Sequence, residues 1–225
     1  MIYGIVPVGG KGTRLGLPFS KELLPIKGYD YYYPVCKYTV DNMLDAGCDK
    51  VYFIHGKEFK KEILEMFYAD NYYHIKNISD RQSDVFGCFF KKILPKKDDI
   101  YLYGLPDSYY EDNIFIDIKD IDGLALGMFE VDDDSKVGRL DSDNRFIKSV
   151  KMENTDNRCW GLLKMNFEVL SKLSFMLEEN IDAELEIESF LNEFNFTTIN
   201  GGNYWDLGTW KIINKYWENE NKNIY

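Results

Sequence analysis

The feature that most constrains this chain is a short apolar run that ends in glycines. I-Y-G-I-V-P-V at 2–8 passes directly into G-G-K-G-T-R-L-G at 9–16. An apolar run of this length bounded by turn formers reads as a buried strand feeding a loop. The alternation then continues. A helix fits 34–46, with Pro34 in its first turn and Gly47 just past its end. V-Y-F-I-H at 51–55 is strand-like, and 57–68 has helical spacing through Phe59, Ile63, Met66 and Phe67. A strand fits 72–78, a helix 85–94, and a strand 100–105 that Pro106 stops. Strands alternating with helices at this pitch predict an α/β fold: a Rossmann-like mixed, mostly parallel sheet with helices on both faces.

The second half is less regular. Strands fit 123–131, 145–152 and 159–165, helices 167–177 and 183–194, and a short strand 196–199. A last helix fits 209–219, where Trp210, Ile213 and Trp217 fall on one face. No internal repeat or linker divides the chain, so its 225 residues read as a single domain, 1–225. With 45% hydrophobic residues it has the material for a large core.

Charge and cysteines narrow the function. Lys and Arg number 27 against 38 Asp and Glu, a net of −11, and no Lys/Arg block stands apart. Such a surface repels phosphate backbones, so nucleic acid is not the expected partner. A small anionic ligand requires local cations, a metal ion or backbone N–H groups. Cys36, Cys48, Cys88 and Cys159 are scattered, with no C-x-x-C pair. Reduced, buried thiols are expected instead of a zinc site or a disulfide framework. No signal peptide and no membrane span of about 20 apolar residues is present in the sequence. The expectation is a cytoplasmic soluble protein.

The glycine loop is the first candidate site. Gly9, Gly10 and Gly12 leave backbone N–H groups open to phosphates. A Walker A loop is excluded because Lys11 precedes the glycine, and a dinucleotide fingerprint fails at Leu15. A phosphate cradle and an ordinary tight turn both remain. Arg14 and Lys21 close by favour the cradle.

The stretch G-G-K-G-T-R-L-G-L-P-F-S-K-E-L-L-P-I at 9–26 resembles the signature of the sugar-phosphate nucleotidyltransferases, which include glucose-1-phosphate thymidylyltransferases and uridylyltransferases. Further similarity follows in family order at Y-Y-Y-P (31–34), L-P-D-S (105–108), A-E-L-E-I (183–187) and W-D-L-G-T (205–209). The resemblance implies the nucleotide-diphospho-sugar transferase type of fold and a nucleotidyl transfer. In that reaction a nucleotide-sugar and pyrophosphate form from a sugar 1-phosphate and a pyrimidine triphosphate, dTTP or UTP, with Mg²⁺. It implies that Gly9, Gly10, Lys11, Gly12 and Thr13 cradle the nucleotide. Arg14 then stabilises the leaving pyrophosphate, and Lys21 holds the α- or acceptor phosphate. Asp107 and Asp206 match the two family carboxylates that share the metal, and Gln82 stands where the base is read. Asp84 occupies a position where relatives usually have glycine, so that pocket is altered.

The acceptor side departs most. Relatives carry E-K-P at the end of a central strand, whereas this chain reads S-V-K-M-E-N at 149–154. Glu153 falls on the lysine position and Lys151 lies two residues earlier, on the same strand face. Gly138 matches the family's sugar-contacting glycine, with Arg139 beside it, and Glu184 matches a family residue close to the sugar. Asp182 replaces an arginine of the thymidylyltransferases. These departures keep a rival alive: the same scaffold with a non-sugar, cytidylyltransferase-like phosphate acceptor. A non-catalytic nucleotide-binding homologue is the second rival. The resemblance also implies no C-terminal extension of the thymidylyltransferase kind, and hence a monomer or simple homodimer. His55 and His74 read as structural. Glu184, Glu186 and Glu188 read mainly as a solvated helix face, and Asp132–Asp134 as a polar turn.

Overall fold

A computed structural model describes residues 1–9, 12–27, 32–55, 72–76, 84–130, 139–141, 143, 145–147, 158–179 and 187–222. In chain order the elements are β1 (Ile2–Pro7), a 3-10 turn (Lys21–Leu23), β2 (Pro25–Lys27), β3 (Tyr32–Pro34), α1 (Val35–Asp45), β4 (Lys50–His55) and β5 (Tyr72–Lys76). Then follow α2 (Asp84–Ile93), β6 (Ile100–Gly104), β7 (Ser108–Tyr110), α3 (Ile114–Ile118), β8 (Leu124–Glu130), β9 (Arg139–Leu140) and β10 (Phe146–Ile147). The chain continues through β11 (Arg158–Asn166), α4 (Phe167–Glu179), α5 (Ile187–Leu191), β12 (Phe196–Asp206) and α6 (Trp210–Lys222).

The main sheet has the order β5-β4-β1-β6-β11-β8-β12-β7, with β9 and β10 attached beside β11. Strands β5, β4, β1, β6, β8 and β12 run one way, while β11 and β7 oppose them. The expected mixed, mostly parallel sheet is therefore present.

Side chains along the strands alternate between two cores, as the period of two requires. Tyr3 and Ile5 of β1, Tyr52 and Ile54 of β4, and Tyr101 and Tyr103 of β6 face α2, α4 and α5. Val6, Val51, Phe53 and Leu102 face the opposite way, against α1 and α3. Helices thus cover both faces of the central strands β1, β4 and β6, which are buried almost throughout, whereas β12 is half-buried or exposed along most of its length. A third cluster joins Leu15, Leu24, Ile26, Val35, Leu207, Ile213 and Tyr216. It fastens the first loop and the C-terminal helix to each other. Among the described residues no helix is long and apolar enough to cross a membrane.

Three sequence expectations need correction. No strand is expected between the first loop and the helix at 34–46, yet β2 pairs with β3 in a small antiparallel hairpin. The strand expected at 196–199 runs from Phe196 to Asp206. N-G-G at 200–202 looks like a terminator, but the glycines serve a bulge, with a register shift between Asn200 and Asn203. A Cβ on Gly201 would stand 2.2 Å from the Phe129 ring, so only glycine lets the strand pass. In α6, Ile213 and Tyr216 are buried and Trp217 packs against the third core, whereas Trp210, one turn before Ile213, is 43% exposed. The helix expected at 57–68 lies outside the described residues, as do the ends of the elements expected at 145–152 and 183–194.

Candidate active site

The strand order reverses at β1. From β1 the chain builds β4 and β5 on one side, then returns with β6 on the other. In open α/β sheets the crevice outside the carboxyl ends at such a point is where ligands bind. The first loop leaves the end of β1 there, and Leu105–Asp107 leaves the end of β6. Thr39 of α1 steadies the second exit by donating its hydroxyl to the Leu105 carbonyl at 2.9 Å.

The first loop is shaped by its glycines and held by one apolar anchor. Gly12 has φ +61° and Gly16 φ +60°, conformations that cost most residues about 1–2 kcal/mol. Between them the Leu15 N–H closes a turn on the Gly12 carbonyl at 3.2 Å. The Leu15 side chain is buried in the third core, which leaves Thr13 and Arg14 exposed at the turn. Gly12 lies directly against Lys21, whose Cβ and Cγ would make ordinary contact at 3.5 Å with a Cβ there. Lys21 opens the 3-10 turn, and its Nζ reaches Asp107 Oδ2 as a hydrogen-bonded ion pair.

Asp206 arrives from the far end of the sheet. Past its bulge, β12 leaves β8 and pairs antiparallel with β7, setting Asp206 opposite Ser108. The Leu207 N–H then donates to the Asp107 carbonyl at 2.9 Å. In this way the backbone ladder brings both carboxylates to one corner. Asp206 Oδ1 accepts the Gly208 N–H at 3.0 Å. A Cβ on Gly208 would be 2.9 Å from Asp206 Oδ1 and 3.7 Å from an Arg14 guanidinium nitrogen. Glycine here makes the space in which Arg14 and Asp206 lie near each other. Finally, the Trp210 indole N–H donates to the Leu15 carbonyl at 2.9 Å.

The electrostatics follow from this crowding. Burial and the neighbouring Asp107 charge push Asp206 up to about 6, against the opposing pull of Lys21, the Gly208 N–H and Arg14. Burial works against the Lys21 charge, but Asp107, Glu22 and Asp206 outweigh it and hold the ammonium above its ordinary value. Lys21 therefore stays cationic. No group of three or more Asp, Glu, His or Cys able to hold a metal by themselves exists among the described residues. A pair of carboxylates completed by substrate oxygens and water is the donor set that Mg²⁺ prefers. Asp107 and Asp206 fit it, since a cation between them would relieve the repulsion that raises Asp206.

Of the residues singled out from the sequence, Gly9, Gly12, Thr13, Arg14, Lys21, Asp107 and Asp206 are described, and the last four share one neighbourhood with Gly208. Gly10, Lys11, Gln82, Gly138, Lys151, Glu153 and Glu184 lie outside the described residues. Glu188 is not merely a solvated helix residue: it accepts the indole N–H of buried Trp160 at 3.0 Å. Gly208 and the Trp210 indole were not singled out as site residues. The first sits inside W-D-L-G-T, and a glycine two residues past a candidate metal carboxylate is the signal that could have marked it.

No protein-family model matches the chain. A protein of Methanocaldococcus jannaschii, provisionally named UTP–glucose-1-phosphate uridylyltransferase, is 35% identical over 72 residues. That match covers 30% of this chain and 23% of the relative, so it spans less than a quarter of that relative's length. Among solved structures, a protein of Bacillus anthracis provisionally named glucose-1-phosphate thymidylyltransferase, in complex with a sucrose, has a TM-score of 0.79 at 19% identity. The likeness covers 96% of this chain and 94% of that one, and at this identity it shows the fold. Both names come from the group that the motifs at 9–26 and 205–209 resemble.

Proposed function

We propose that this chain is a nucleotidyltransferase that joins a nucleoside triphosphate to a small phosphorylated acceptor and releases pyrophosphate. The observation that carries the reading is the convergence of Arg14, Lys21, Asp107 and Asp206 where the strand order reverses. Two anionic reactants must be held together in such a reaction, and little covalent chemistry falls to side chains.

An acceptor phosphate oxygen attacks the α-phosphorus. The bond to the bridging oxygen breaks, and pyrophosphate leaves with the electron pair. Arg14, exposed at the turn beside Gly208, faces the leaving phosphates and neutralises the charge they gain. Lys21 keeps its proton, and on release from Asp107 its Nζ binds the α- or acceptor phosphate. Asp107 and Asp206 would hold Mg²⁺, which supplies further charge neutralisation when bound. The substrate reading is a sugar 1-phosphate with UTP or dTTP, based on Gln82 and the resemblance of the motifs. The chain acts in the cytoplasm on this reading, as a monomer or simple homodimer.

The test is pyrophosphate release with Mg²⁺, each common nucleoside triphosphate, and panels of sugar 1-phosphates and non-sugar phosphates. Turnover with a pyrimidine triphosphate and one sugar phosphate supports the whole proposal. Turnover only with a non-sugar acceptor overturns the sugar assignment. No turnover and no triphosphate binding by calorimetry overturns the catalytic reading.

A further inference from the structure

The corner between β12 and α6 touches the first loop at more than one point. Asp206 and Gly208 lie beside Arg14, the Leu207 and Ile213 side chains pack with Leu15, and the Trp210 N–H holds the Leu15 carbonyl at 2.9 Å. The Trp210 ring is 43% exposed, so its burial is not what places it. The indole N–H, a donor only, is the group with a defined partner. That partner is the carbonyl immediately after Arg14, in the turn that the Leu15 N–H closes on Gly12. Both peptide groups of Leu15 are thus tied, one within the loop and one across to α6.

We propose that Trp210 is a positioning residue for triphosphate binding: its indole N–H fixes the Gly12–Gly16 turn against the β12–α6 corner and so holds Arg14 beside Asp206. The inference rests on the nucleotidyltransferase reading for what Arg14 binds, but not for the brace itself. A turn with a glycine in the left-handed region at each end has alternative conformations close in energy. One hydrogen bond of ordinary strength shifts such an equilibrium by roughly five- to tenfold. A ligand that needs the held form then binds more weakly in proportion when the brace is removed.

Trp210→Phe keeps a ring at the same place and removes the N–H. In the ligand-free variant, hydrogen–deuterium exchange of amides 13–17 should accelerate about five- to tenfold, while amides of β1 and β6 exchange as before. The triphosphate KM should rise by a similar factor, kcat should change less than twofold, and the melting temperature should stay within about 2 °C. Unchanged loop exchange together with unchanged KM overturns the proposal. A uniform loss of kcat with a lower melting temperature also overturns it, since that marks a purely structural residue. The two readings fail separately. A wild-type protein inactive on every substrate pair sinks the nucleotidyltransferase reading, yet the loop exchange still reports the brace.

Discussion

The Leu207 N–H donates to the Asp107 carbonyl at 2.9 Å, so the spacing of Asp107 and Asp206 is fixed by main chain before either side chain is considered. Two carboxylates forced together in this way raise the cost of ionising one of them. The metal-free protein carries that cost at neutral pH.

Its pH dependence has a definite sign. Asp206 is pushed up to about 6 from 3.8, so the folded state binds the proton more tightly than the unfolded chain. Stability from this group is therefore present at low pH and lost as pH rises between about 4 and 6. In metal-free buffer at pH 7, Asp206→Asn should raise stability by roughly 1–2 kcal/mol while abolishing most activity. Mg²⁺ should raise the wild-type melting temperature more at pH 7 than at pH 5, which thermal melts across pH would check.

Lys21 and Asp107 should show strong coupling. Lys21→Met leaves Asp107 without the ammonium that now partners it and should destabilise the ligand-free protein by about 2–3 kcal/mol. Adding Asp107→Asn should restore part of that loss, since the remaining carboxamide needs no cation. A double-mutant cycle in denaturant measures the coupling. Both single variants should lose about 10²–10³ in kcat/KM.

Two glycine substitutions should separate stability from activity. Gly201→Ala drives a methyl into Phe129, which is buried between α3 and the sheet, and should cost about 2–3 kcal/mol. The atoms nearest the added methyl in Gly208→Ala are those of the Asp206 carboxylate, with the Arg14 guanidinium in ordinary contact. This variant should melt within a few degrees of wild type yet lose on the order of 10–100-fold in kcat/KM, because the Asp206 carboxylate must shift.

Leu94 offers a gain. It follows α2 at φ 52° with its side chain 74% exposed, so it carries strain without burying its side chain. Leu94→Gly should stabilise the protein by about 0.5–1 kcal/mol, readable as a shift in the denaturation midpoint.

Much of the fold was legible because its signals are local. The apolar runs at 2–8, 51–55 and 100–105 read directly as strands, and Gly47 marks the end of α1. Gly12 was legible as a loop glycine and does take a positive φ. The pairings that make the site were not legible, because they join distant residues: Lys21 meets a carboxylate 86 positions away, and Trp210 a carbonyl 195 positions away. Asp107 and Asp206 were named through motif resemblance, with their shared corner set by a β12–β7 pairing that no period in the sequence announces. The strand at 196–206 was cut short because N-G-G has the composition of a turn, and only the Phe129 ring explains why glycine stands there in an extended strand. Spacing places Trp210 one turn from Ile213 but does not show that it stays 43% exposed with its N–H donated to the Leu15 carbonyl.

The course of β12 bears on how the molecule comes into being. A ribosome releases β1, α1, β4 and β6 well before residues 196–206, so the early strands can pair while Asp107 still lacks its neighbour. Long-range pairing of this kind is slow, because a large loop must close before any contact offsets the lost entropy. The corner that pairs the two carboxylates is therefore a late product of synthesis. A nascent chain truncated before β12 would bear Arg14, Lys21 and Asp107 with no second carboxylate beside them.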